Sequence, residues 1–178
     1  MKEKAKILNE SGIANAIKRI AHEILEKNTE KKALAIIGIK HRGVFLGERL
    51  AAAIKEIAKI DVPIGALDIT LYRDDITEVS EQPIVHSTEV DFNIDGKIII
   101  LVDDVLFTGR TVRCALDELI DFGRPKRIQL ATLIDRGHRE FPIRPDFVGK
   151  NVPTSLSEVV EVKLVESEGA DEVVLYER

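Results

Sequence analysis

Asp103 and Asp104 are adjacent carboxylates, and Val105-Leu-Phe-Thr-Gly-Arg-Thr111 follows them directly. Neighbouring acids can accept hydrogen bonds from the hydroxyls of a sugar and help to hold a magnesium ion. Thr108 and Thr111 offer hydroxyl donors, and Gly109 lets a phosphate approach the backbone closely. Acids placed just ahead of a phosphate cradle suit a ribose 5-phosphate. Its phosphate would rest on the loop and its 2- and 3-hydroxyls on the acids. A Walker loop needs Gly-Lys-Ser/Thr, and a dinucleotide fingerprint needs G-x-G-x-x-G; neither pattern occurs here. Lys40-His-Arg-Gly43 is a second candidate anion site, with cationic or potentially cationic side chains beside a glycine.

The elements around these residues are readable from periodicity. Ile98 to Val102 is a continuous apolar, mostly β-branched run, the pattern of a strand buried on both faces of a parallel sheet. The acids are expected to close that strand, and Val105 to Thr108 to form a loop. Val112, Ala115, Leu116, Leu119 and Ile120 then share one face of a helix. A helix N-terminus presents unpartnered N–H groups and the positive end of its dipole. Ala33 to Ile39 reads as the first buried strand, followed by a helix from Val44 to about Ile60. In an open α/β sheet, ligands bind at such strand C-termini. Leu67 to Tyr72 and Ile84 to Phe92 read as the arms of an antiparallel flap. Its tip, residues 73 to 87, would be a mobile lid shielding an activated donor from water. Ile128 to Ile134 is the next strand and ends in Asp135-Arg-Gly-His-Arg-Glu140. A short strand lies near Phe147, and Val159 to Leu164 and Glu172 to Tyr176 are closing strands. Near the start, Asn9 is a plausible N-cap for a helix reaching Lys27. The outer face of that helix carries Lys18, Arg19, His22 and Lys27.

Residues 1–178 suit one domain with a substantial core. Hydrophobic residues make up 44% and charged residues 32%, a globular balance. No apolar run approaches the roughly 18 residues of a membrane span, and no signal-peptide core follows the first residues. The single cysteine, Cys114, cannot form an internal disulfide, which fits a reducing cytoplasm. A net charge of −5 excludes a generic nucleic-acid binder, so any RNA contact needs a local basic patch.

The string from Ile98 to Thr111 resembles the phosphoribosyl pyrophosphate motif of the type I phosphoribosyltransferases. Four further strings narrow the likeness: Asp68-Ile-Thr-Leu-Tyr-Arg-Asp-Asp75, Thr108-Gly-Arg-Thr-Val-Arg113, Asp135-Arg-Gly-His-Arg-Glu140 and Gly149-Lys-Asn-Val-Pro-Thr-Ser155. In this order they look like the family of pyrimidine operon attenuation regulators that are also uracil phosphoribosyltransferases, over about Ala5 to Tyr176. The resemblance implies an α/β fold with a mostly parallel central sheet flanked by helices, a flexible antiparallel flap and a small hood. It implies conversion of uracil and phosphoribosyl pyrophosphate to UMP and pyrophosphate. It also implies UMP-responsive binding of the leader mRNA of pyrimidine genes, and a homo-oligomer. Asp103 and Asp104 would hold the ribose hydroxyls, and Val105, Leu106, Phe107, Thr108, Gly109, Arg110 and Thr111 would cradle the 5-phosphate. His41 and Arg42 match the pyrophosphate loop, with Arg42 assisting departure. Arg136, in the hood, would lie beside the base or pyrophosphate, and the backbone near Val160 would help to read uracil. Magnesium would be carried mainly by phosphoribosyl pyrophosphate, with no dedicated protein metal site. His41 departs from the family's threonine: its backbone could still bind pyrophosphate, but the bulkier imidazole could alter the activity. RNA would meet Lys18, Arg19, His22 and Lys27 together with Arg139, Arg144 and Lys150, joined away from the active-site mouth. Alternatives are an enzyme alone, for another base such as hypoxanthine or orotate, and an RNA-binding module that has lost catalysis.

Overall fold

The core strands alternate their apolar side chains between two helical layers. A computed structural model of the 178-residue chain describes residues 1–69 and 88–178. Strand β1 (Lys2–Leu8) precedes helix α1 (Glu10–Lys27), and a short 3-10 turn (Lys31–Ala33) leads to β2 (Leu34–Ile39). Then come α2 (Arg42–Ala58), β3 (Ile64–Leu67), β4 (Ile98–Leu106), α3 (Arg110–Phe122) and β5 (Arg127–Asp135). The chain closes with β6 (Phe147–Asn151), β7 (Glu158–Lys163), α4 (Val165–Glu168) and β8 (Glu172–Glu177).

Among the described residues, β3-β2-β4-β5-β6 form a parallel five-stranded sheet. Leu34, Ile36, Ile98, Ile100 and Val102 point toward α1 and α2, packing on Ile13, Ile17, Ile24, Leu50 and Ile54. Ala35, Ile37, Ile99 and Leu101 point the other way, toward Val112, Ala115 and Leu119 of α3. A strand buried on both faces needs an unbroken apolar run, which is why β2 and the start of β4 read so clearly. Each fully buried isoleucine or leucine contributes roughly 1.5–3 kcal/mol. A second, antiparallel sheet, β1-β8-β7, pairs the two ends of the chain, with Lys2 opposite Glu177.

The helix ends follow from local chemistry. The Asn9 side chain accepts from the Gly12 N–H at 2.9 Å, the expected cap of α1. Gly109, with φ of 92°, turns the chain from β4 into α3 in a left-handed conformation that disfavours other residues.

Four expectations change. The acids do not close β4; the strand runs through them to Leu106, because Asp103, Val105 and Leu106 keep pairing with β5. The turn into α3 is therefore the shorter Phe107–Gly109. Ile120 is 65% exposed. The buried stripe of α3 is Val112, Cys114, Ala115, Glu118 and Leu119, and at about 100° per residue Ile120 falls beyond its edge. Of the strand expected over 67–72, Leu67 ends β3 (Ile64–Leu67), Asp68 and Ile69 are not in a strand, and Thr70 to Tyr72 lie outside the described residues. Of the return strand expected over 84–92, residues 88–92 are described, and there Glu89 forms an isolated antiparallel bridge to Ala66. The expected lid, residues 73 to 87, lies outside the described residues. No described helix is long and apolar enough to cross a membrane.

Candidate active site

The C-terminal ends of β2, β4 and β5 open into one cleft of about 570 Å³. It is lined by His41, Arg42, Asp103, Asp104, the run Val105 to Thr111, Arg136 and Val160, so every candidate substrate residue meets there. Ile39, Lys40, Ile69, Val112, Ser167 and Glu168 complete the lining.

The acids are fixed by the backbone that follows them. Asp103 Oδ1 accepts from the Asp104 N–H at 2.9 Å, and Asp104 Oδ1 from the Val105 N–H at 2.8 Å. Asp103 is only 7% exposed, more enclosed than a free strand end. Its neighbour is more open. No group of three or more His, Cys, Asp or Glu residues suited to a metal occurs among the described residues. The acid pair can still supply oxygens to a magnesium ion that arrives with other ligands of its own.

The candidate phosphate cradle is the turn between β4 and α3. The Arg110 N–H reaches Thr108 Oγ1 at 3.3 Å, while the Thr108 carbonyl accepts from the Glu140 N–H at 2.9 Å. These bonds tie the loop to the segment after β5. The positive end of α3 faces it, as anion binding requires.

The β2–α2 loop also lines the cleft. Its Lys40–His41 peptide bond is cis. A Cβ on Gly43 would come within 2.4 Å of the Val102 carbonyl oxygen, and one on Gly38 within 2.5 Å of Val44 Cα. Glycines there let the loop press against β4 beside Asp103. Arg42 donates from Nε and Nη2 to Glu168 Oε1 at 3.1 and 2.8 Å, and its Nη1 lies 3.7 Å from Asp104 Oδ2. His41 is exposed at the rim, and its carbonyl accepts from the Val44 N–H at 3.1 Å.

Arg136, the candidate neighbour of the base, is 6% exposed. Its guanidinium stacks on the Phe107 ring at 4.1 Å. Nε donates to Thr154 Oγ1, and Nη2 to the carbonyls of Ser155 and Glu158 at 3.1 and 2.7 Å. Burial, and then the charge of Arg178, push Arg136 below the usual arginine range. An arginine so shifted remains a cation and a donor only. Glu158 secures the same turn: its carboxylate receives the Lys4 ammonium and the Ser155 N–H. The Lys4 hydrogen bond holds Glu158 below the ordinary carboxyl range.

Glu168 and Ser167 were not singled out from sequence. They belong to α4, a single helical turn with no periodicity to announce it.

The basic residues divide. Arg19 donates to the carbonyls of Val148 and Gly149, Lys27 pairs with Asp146 at 2.8 Å, and Lys150 reaches the Ile7 carbonyl. Arg19, Lys27 and Lys150 thus gather along α1 and β6. His22 and Arg144 are exposed. Lys18 turns toward α2, 3.9 Å from Glu56. Arg139 does not join this surface. It donates to the Phe107 carbonyl and pairs with Asp135 at 2.6 Å, so it braces the phosphate turn at the active-site mouth. Arg139 lies in the loop directly after β5, where Asp135 and the Phe107 carbonyl draw it toward the β4–α3 turn.

Comparison with known proteins agrees with this geometry. The model of the phosphoribosyl transferase domain matches residues 4–167. "Bifunctional protein PyrR" of Pelotomaculum thermopropionicum is 60% identical over 176 residues, covering 99% of this chain and 97% of that protein. "Bifunctional protein PyrR" of Thermus thermophilus is 57% identical over 178 residues, covering 100% and 98%. Among solved structures, a hypoxanthine phosphoribosyltransferase of Trypanosoma cruzi superposes with a TM-score of 0.76 at 18% identity, covering 99% of this chain and 92% of that one. A hypoxanthine phosphoribosyltransferase of Staphylococcus aureus gives 0.73 at 20% identity, covering 97% and 92%. At such identities the likeness is one of fold. Together with the cleft, the two near-full-length relatives establish that the chain belongs to the phosphoribosyltransferase family and, within it, to the bifunctional PyrR proteins.

Proposed function

We propose that this protein transfers the phosphoribosyl group of phosphoribosyl pyrophosphate to uracil, giving UMP and pyrophosphate, and that with UMP bound it binds leader mRNA and attenuates transcription of pyrimidine genes. The observation that carries the reading is the order of groups along one cleft. A phosphate turn, an acid pair and Arg42 follow one another, with Arg136 and Val160 alongside.

The chemistry needs no side-chain nucleophile. A uracil ring nitrogen attacks the anomeric carbon as pyrophosphate leaves. Positive charge builds on the ribose ring and negative charge on the leaving group. Asp103 and Asp104 orient the ribose through its hydroxyls and face the developing positive charge. The N-terminus of α3 and the Thr108 and Thr111 hydroxyls hold the 5-phosphate, so the sugar is fixed at both ends. Arg42 offsets charge on the departing group. Asp103 and Asp104 would supply oxygens to a magnesium ion carried by the donor, which would offset charge on the departing group. Arg136 can only donate, so it favours a base edge with carbonyl oxygens over one with an amino group.

The RNA surface is assigned to Lys18, Arg19, His22, Lys27, Arg144 and Lys150, with phosphate contacts giving affinity and unpaired bases specificity. UMP favours the RNA-competent state, and by linkage RNA tightens UMP equally. Arg139 belongs with the catalytic loop in this reading. Two measurements test the function. Turnover with uracil, hypoxanthine and orotate should be confined to uracil; preference for another base would make the protein a different transferase. Pyrimidine-leader RNA should shift only when UMP is present, and Arg19, Arg144 and Lys150 replaced together by Gln should weaken binding and flatten its salt dependence. A parent protein that ignores the leader at every UMP concentration would be an enzyme alone.

A further inference from the structure

Resting on the phosphoribosyl-transfer reading, we infer that Glu168 is a built-in counter-anion of the pyrophosphate site, competing with pyrophosphate for Arg42 and so setting how tightly that product is held. A carboxylate is an unexpected lining for a cleft end that takes a polyanion, yet Glu168 stands there beside Ser167. Its Oε1 accepts from both Nε and Nη2 of Arg42. That edge of the guanidinium fork is one that would otherwise meet two phosphate oxygens. The remaining nitrogen, Nη1, faces Asp104. Both approaches to Arg42 are therefore bordered by carboxylates.

Glu168 is also held in place more firmly than Arg42. Its Oε2 accepts from the Leu164 N–H at 2.9 Å and from the Ser167 hydroxyl. The α4 turn that carries it is strapped to α2 by Arg49. That side chain donates to both Glu166 oxygens at 2.8 and 2.5 Å and to both Asp171 oxygens at 2.8 and 2.6 Å. Asp171 Oδ1 in turn accepts from the Val165 N–H at 2.8 Å. Arg42 has a long flexible stem and a side chain 34% exposed, so it is the partner that swings. When it turns to pyrophosphate, the carboxylate stays behind and repels the same anion. Burial works against charge on Glu168, but the Leu164 N–H, the Ser167 hydroxyl and Arg42 outweigh it and keep the group ionised. The arrangement weakens pyrophosphate binding and speeds its release, product release being the step that limits many enzymes. The 5-phosphate turn lies at the other end of the cleft and is untouched.

The test is calorimetric titration with magnesium pyrophosphate, and separately with UMP, of the parent protein and Glu168→Gln. Glutamine keeps an oxygen for the Leu164 N–H and removes the charge. Pyrophosphate should bind about five-fold tighter, the scale of one partly exposed charge interaction, with UMP affinity unchanged. Product inhibition by pyrophosphate should deepen in step. Equal pyrophosphate affinity would overturn the inference, and so would weaker affinity, which would make Glu168 a holder of the magnesium ion. If Glu168→Gln loses UMP as well, Glu168→Asp decides. That variant draws the carboxylate back from Arg42 and should also tighten pyrophosphate; no tightening overturns the inference. A parent protein that binds neither pyrophosphate nor UMP would instead sink the transfer reading itself.

Discussion

The two sheets wall the same cleft with different physics. In the parallel sheet every residue of β2 is buried, as are the first six of β4. In the antiparallel sheet, β1 is almost wholly exposed and β7 alternates buried and half-buried positions. Charge stitches it together: Lys4 with Glu158, Lys6 with Glu172, and Lys163 with Glu172. The parallel sheet carries the acids and both candidate anion loops, which the proposed chemistry needs in fixed geometry. The antiparallel sheet carries Val160 and the approach to Glu168, and anchors Arg136 through the Glu158 carbonyl. Asp103, Asp104 and the two candidate anion loops thus stand on an apolar frame indifferent to salt. Val160, Arg136 and the approach to Glu168 stand on one that responds to its surroundings.

The contrast can be broken in three ways, the largest effect first. Ile100→Ala removes a fully buried side chain from the central strand. It should cost about 2–5 kcal/mol in urea unfolding, and a cost under roughly 1 kcal/mol would deny the parallel sheet its role as frame. Next, Asp103→Asn with Asp104→Asn should leave the unfolding midpoint near that of the parent, because asparagine keeps the oxygen each following N–H needs. The kcat/KM for UMP synthesis should fall by about 1.5–3 kcal/mol, or roughly 10- to 150-fold. Near-parental turnover would remove the acids from catalysis.

Acid sharpens the comparison with a smaller effect. Lys4 holds the Glu158 carboxyl below its ordinary range, Arg49 does so for Glu166 and Asp171, and Lys6 for Glu172. A carboxyl depressed on folding contributes stability above its unfolded value, and that contribution is lost as pH falls through the lower folded value. Between about pH 5 and pH 2, amides of Val160, Val162 and Val174 should therefore lose protection from exchange before those of Ile99 and Leu101. Simultaneous loss in both sheets would mean that one cooperative unit spans them.

What could be read from sequence follows the same division. Asp103 to Thr111 was legible because strand, acids, turn and helix are contiguous, so local pattern and chemistry coincide. The strand beneath them ran on past the acids because pairing with β5, a tertiary effect, outlasts the apolar signal. Strand β1 was not legible: Lys-Glu-Lys-Ala-Lys has no buried face and becomes a strand only through β8. Glu168 meets Arg42 across 126 positions, and no spacing rule reaches that far. Arg139 looked like part of a basic surface by composition, whereas its bonds to Phe107 and Asp135 commit it to the loop.

The pairing of β1 with β8 joins Lys2 to Glu177, so that ladder closes a ring comprising nearly the whole polypeptide. Closing so large a ring forfeits more chain entropy than any pairing inside the parallel sheet, and slow, late docking follows. β1 should then be the last strand to arrive during refolding and the first to detach under stress. Its Lys4 should leave Glu158 as it goes, loosening the turn that holds Arg136 while Asp103 and Asp104 are still in place.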